Sequence, residues 1–150
     1  MTDTTHGYAA QHEFVERWAT LGKTAWLHRF SDSSDLYGRN KRLVRTDAQP
    51  ADFLCGYTGW LGLIECKATK NETGFPVSLV AKPQSIAATL SRAAGTPYKF
   101  AIQRTGTKEW FIAPAALILN AKGVVKWDDL QFFLWKNPPS CDLTAMLCAT

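Results

Sequence analysis

The chain has 150 residues, 46% of them hydrophobic and six of them tryptophan, which is ample for one packed core and short for two, so a single domain over residues 1–150 is expected. Its formal charge of +4 permits an anionic partner without demanding one. No apolar run approaches the ~18 residues of a membrane span, and the polar start MTDTTHGY lacks the apolar stretch of a signal peptide, so a soluble cytoplasmic protein with no membrane contact is expected.

Residues 9–21 read as an amphipathic helix, because Phe14, Val15, Trp18 and Leu21 recur at three- and four-residue intervals and Gly22 follows as a stop. Its polar side carries Gln11, His12, Glu13, Glu16 and Arg17. One glutamate, Glu13 with Glu16 next in order, is expected to lean over the sheet and join an acidic site; the plainer reading is a solvated helix face. TAWLHRF then alternates as a strand would. A basic loop at about 31–49 follows, with Arg39, Lys41, Arg42 and Arg45 inside seven residues beside Tyr37. Such a cluster suits phosphate contacts, against the alternative of an ordinary solvated charge run.

The stretch PADFLCGYTGWLGLIECK reads as strand, turn, strand, turning near Gly59. Glu65 and Lys67 share one face of the second strand, with Cys66 pointing to the other. The hairpin folds Asp52 back beside them. ATKNETGFPVSL reads as a polar loop that brings Lys70 and Asn71 close to the same point. A helix over PQSIAATLSRAAG has Gln84 in its first turn. PYKFAIQR and EWFIA are strands about a Thr105-Gly106-Thr107 turn. Pro114 opens a short helix to Asn120, GVVKW is a short strand and DDLQFFLW a possible helix, and Pro138-Pro139 is expected to break any regular element in the tail. This order predicts an α/β fold with a central mixed sheet flanked by helices.

The four cysteines, Cys55, Cys66, Cys141 and Cys148, form no CxxC pair, which favours reduced thiols. His6, His12 and His28 lack metal-ligand spacing, and no Gly-rich phosphate loop or nucleophile elbow is present. The chemistry therefore rests on Asp52, Glu65 and Lys67. Two carboxylates and an ammonium suit metal-dependent phosphodiester hydrolysis, where a divalent ion activates water and screens the phosphate. Mg2+ prefers oxygen, so Asp52, Glu65 and the backbone carbonyl of Cys66 are the expected ligands, with Mn2+ as a substitute. Lys67 would be a fixed charge near the water or the phosphate, and the Cys66 thiol is assigned to the core.

Pro50-Ala51-Asp52 with Glu65-Cys66-Lys67 resembles the PD-(D/E)xK nuclease signature. The run from Asp52 through ECKATKNETGFPVSLVAKPQ is similar to the RecU type of Holliday junction resolvase, in which acid, hairpin, E-x-K, a T-K-N-x-T-x-F-P stretch and a later Gln recur in this order. The resemblance implies a restriction-endonuclease-like fold, a homodimer, and magnesium-dependent paired nicking of four-way DNA junctions in recombination and repair. It also implies that Asp52 and Glu65 ligate metal, that Lys67 is catalytic, and that Gln84 stands near the substrate phosphate or water. The segment before Asp52 is shorter than that family's protruding stalk and has its own basic sequence. A compact chain of this kind fits a bacterial cell or a phage-infected host. The alternatives are a nuclease of the same fold acting on flaps, ends or duplex, and a DNA-binding module that has kept the fold without activity.

Overall fold

The computed structural model describes residues 4–30, 49–136 and 142–150. Its centre is a five-stranded mixed sheet in the order β1-β2-β3-β5-β6, formed by β1 (Ala25–Arg29), β2 (Phe53–Tyr57), β3 (Trp60–Thr69), β5 (Tyr98–Arg104) and β6 (Glu109–Pro114). A two-stranded ribbon of β4 (Gly74–Pro76) and β7 (Val124–Lys126) lies apart. The helices are α1 (Thr4–Ala19), α2 (Lys82–Ala93), α3 (Ala115–Leu119) and α4 (Asp142–Cys148). Among the described residues, no helix is long and apolar enough to cross a membrane.

Residues β1, β2 and β3 form an antiparallel meander, with Arg29 opposite Phe53 and Phe53 opposite Ile64. The β2–β3 turn is the two-residue Thr58–Gly59, with φ of 43° and 87°, a geometry whose twist matches a hairpin and which Gly tolerates best. β3 pairs in parallel with β5, Glu65 opposite Phe100 and Lys67 opposite Ile102. Parallel neighbours need a long crossover, and the chain between them supplies β4 and α2.

Alternation along the strands separates two cores. One face packs against α1 and α4 through Phe14, Trp18, Phe53, Ile64, Trp110, Trp135 and Leu143. The other buries Phe75, Phe100, Ile102, Phe111, Ile118, Trp127 and Leu130. Phe14 and Trp18 each meet the Trp135 ring at a centroid distance of 5.9 Å, edge-on geometries that aromatic pairs favour. Cys55 and Cys66 are buried free thiols, with Cys66 on the α1 face as expected.

Three elements differ from the sequence expectation. GFP is strand β4 and not part of a loop, because Phe75 is fully buried and Gly74 lets the ribbon close: a Cβ there would meet the Val125 carbonyl oxygen at 2.1 Å. Residues 128–133 form a 3-10 helix, shorter than the helix expected over residues 128–135. After the prolines, α4 forms on a buried stripe of Leu143, Met146 and Leu147; a proline ends what precedes it but does not prevent a helix starting three residues later. Lys99, buried in β5, donates to the Met146 carbonyl at 3.2 Å and to that of Ala149, which anchors the end of α4.

Candidate metal and catalytic site

Asp52 stands immediately before β2, and its backbone is fixed from two sides. The Phe30 N–H donates to the Asp52 carbonyl at 3.0 Å. The Tyr98 hydroxyl donates to the Pro50 carbonyl at 2.8 Å. The β2–β3 ladder ends at the Phe53–Ile64 pair, so beyond it β3 lacks a β2 partner. The Asp52 side chain takes that place: its Oδ2 accepts the Cys66 N–H at 2.9 Å. A strand residue directs its N–H and C=O to the same side, so the Cys66 carbonyl shares the Asp52 side. The other carboxylate oxygen, Oδ1, accepts from Gln11 Nε2 at 2.9 Å.

Glu65 is 4% exposed and faces away from Cys66, as strand alternation requires. Lys67 Nζ lies 3.1 Å from Glu65 Oε1. The same oxygen accepts from Gln84 Nε2. Gln84 is oriented by the start of α2, where the Ala81 N–H donates to its Oε1 at 3.0 Å, half of a capping box. Burial pushes the Glu65 carboxyl up to about 7, the Asp52 charge pushes the same way, and Lys67 opposes both. Burial, then the Glu65 and Asp52 charges, also raises the Tyr98 hydroxyl.

These groups line a cleft of about 290 Å³ whose walls include Gly7, Gln11, Asp52, Glu65, Lys67 and Gln84. Hollows of about 430 Å³ beside Lys99 and about 510 Å³ beside α2 are larger, but neither brings two acids together. The structure thus gathers Asp52, Glu65, Cys66, Lys67 and Gln84 at one point. It does not bring Glu13 there. Residues two apart on a helix are turned by about 200°, and Glu13 accepts from Gln103 Nε2 and lies 3.4 Å from Lys108. Glu16 lies 3.7 Å from His12 on the exposed side of α1. The α1 side chain that bonds Asp52 at the cleft is Gln11, which the sequence places on the polar side of the helix.

Arg29 was also missed. Its Nη2 donates to Gln11 Oε1 at 2.9 Å. The sequence signals were the small residue Ala10, buried where α1 meets the sheet, and the position of Arg29 at the end of β1. Lys70 is exposed just past β3. Asn71 is committed to a turn, its Oδ1 accepting from Thr73 N at 2.9 Å, Thr73 Oγ1 at 2.8 Å and Gly74 N at 3.2 Å. Arg39, Lys41, Arg42 and Arg45 lie outside the described residues.

The donor set suits a hard dication. Among the described residues no group of three or more His, Cys, Asp or Glu side chains gathers, so a metal here would be held by the Asp52 and Glu65 carboxylates, the Cys66 carbonyl and water. Mg2+ keeps several waters and takes one or two carboxylates, whereas softer metals call for nitrogen or sulfur.

No family model matches the chain, and no curated protein matches it. Among solved structures it is similar to Hjc, a Holliday junction resolvase from the archaeal hyperthermophile Archaeoglobus fulgidus, with a TM-score of 0.54 and 14% identity over 83% of this chain and 91% of that one. The likeness is one of architecture: a central mixed sheet flanked by helices, a restriction-endonuclease-like core.

Proposed function

We propose that the protein is a metal-dependent DNA endonuclease that resolves four-way junctions as a homodimer. The observation that carries this reading is that Asp52, bonded to the Cys66 N–H, and Glu65, with Lys67 at 3.1 Å, line one cleft, on a fold similar to that of a junction resolvase. The TKNETGFP run supports the narrower reading through its resemblance to the RecU type. Bound Mg2+, or Mn2+ in its place, would lower the pKa of water and offset charge on the phosphate.

The chain's own residues set the geometry. Asp52 and Glu65 are held on rigid sheet backbone, which a site of this precision requires. Lys67 supplies a fixed positive charge beside the reacting phosphate. Gln84 holds the Glu65 carboxylate from α2 and faces the same cleft. Arg39, Lys41, Arg42, Arg45 and Lys70 would bind backbone phosphates, and each such contact steepens salt dependence by roughly 0.9 in log–log slope. Two copies of the site in a symmetric dimer would match the two strands to be cut.

The test is cleavage of a synthetic four-way junction beside duplex and flap DNA of matched sequence, with and without Mg2+. Expected are cutting only with metal, preference for the junction, and loss of cutting but not of junction binding in Asp52→Asn. Equal rates on all three substrates would replace the resolvase reading by a general nuclease of the same fold. Junction binding with no cutting under any metal would leave a binding module.

A further inference from the structure

The amide of Gln11 has one orientation compatible with its neighbours. Arg29 carries donors only, so the Gln11 end that faces it must be the carbonyl oxygen, and an ionised Asp52 only accepts, so the end that faces it must be the NH2 group. The distances agree, 2.9 Å from Arg29 Nη2 to Gln11 Oε1 and 2.9 Å from Gln11 Nε2 to Asp52 Oδ1. Asp52 is then tethered at both oxygens, by Gln11 at one and by the Cys66 N–H at the other. Two tethers fix the plane of the carboxylate as well as its position.

The relay joins three elements. Gln11 comes from α1, Arg29 from β1, and Asp52 from the approach to β2. A lone Gln11 could turn its amide and offer Asp52 a carbonyl, which would repel the charge. Arg29 prevents that turn, since a flipped amide would set NH2 against guanidinium. We propose that Gln11 is a positioning residue that fixes Asp52 for divalent-metal binding, and that Arg29 acts on the metal site through Gln11. The inference rests on the reading that Asp52 and Glu65 hold a divalent cation.

The experiment is Mn2+ binding to the full chain without DNA, followed by the electron paramagnetic resonance signal of free Mn2+, with thermal melting of each variant as the control on folding. Gln11→Ala should weaken Mn2+ binding about tenfold, the scale of one hydrogen bond to a charged group. Gln11→Glu, equal in size but unable to donate, should weaken it at least as much. Arg29→Ala should weaken it by several-fold, and the double variant Gln11→Ala/Arg29→Ala should match Gln11→Ala alone, because residues acting in one chain are not additive. Arg29 is exposed, so its variant reports on the relay even where Gln11→Ala destabilises α1.

Tighter Mn2+ binding by Gln11→Glu would overturn the inference by making position 11 a ligand site. So would wild-type binding in both Gln11→Ala and Arg29→Ala, or additive losses in the double variant. Wild-type protein that binds Mn2+ no better than Asp52→Asn would instead remove the metal site itself, and the inference with it.

Discussion

Asn71 shows what a motif residue does once its contacts are known. Its side chain accepts from two backbone N–H groups and one hydroxyl within the next three residues, and its own N–H donates to Thr69 Oγ1 at 3.1 Å. Its carbonyl accepts the Trp127 indole N–H at 3.0 Å. The TKNETGFP run is therefore built to turn the chain sharply off β3 and into β4, with Phe75 buried and Gly74 pressed against Val125. Asn71→Ala should lower stability by about 2 kcal/mol in a denaturant titration, since it leaves several donors without their acceptor. It should leave metal binding at Asp52 and Glu65 nearly intact. Asn71, Gly74 and Phe75 in this run thus set backbone geometry next to the site.

At the level of elements, the β2–β3 hairpin could be read from sequence because every determinant is local: alternation, the Thr58–Gly59 turn, and the spacing of Glu65 and Lys67. The helix over residues 82–93 was legible for the same reason. Elements defined by a distant partner were not. Strand β4 exists through β7, some 50 residues later, and its three residues carry no periodicity of their own. Glu13 and Glu16 stand out in sequence because acids announce metal sites, while the rotation of α1 that brings Gln11 to the cleft instead is set by Phe14 and Trp18 against the sheet. Helix α4 was hidden behind two prolines, and its anchor, Lys99, lies in a strand about 45 residues upstream. Replacing that anchor tests the assignment: Lys99→Met should speed amide hydrogen exchange across residues 142–148 by about tenfold, as expected for one lost charge-assisted bond, and leave exchange in β2 and β3 unchanged.

For the molecule as a whole, the clustered acids carry a cost that pH exposes. Glu65 is pushed up to about 7 from an ordinary value of 4.5. Between those values the folded chain holds a proton that the unfolded chain has released. Unfolding then releases it, so stability falls as pH rises through that window. Without divalent metal, the melting temperature should be lower at pH 7 than at pH 5. Glu65→Gln, neutral throughout, should flatten that slope, and Mg2+ added at pH 7 should raise the melting temperature of the wild type and not that of Asp52→Asn. A slope that persists in Glu65→Gln would trace the effect to other groups.

The bond from Phe30 N–H to the Asp52 carbonyl has a consequence for how such a protein can change over time. The core therefore holds the chain on either side of the basic segment 31–48, at Phe30 through Asp52 and at Pro50 through Tyr98. With its ends held, the segment can be exchanged for a longer one at an entropic cost that grows only with the logarithm of length, about 0.6 kcal/mol per doubling. Under the proposed function, the phosphate-binding segment is a replaceable cassette, and the sheet that carries Asp52, Glu65 and Lys67 is a fixed frame.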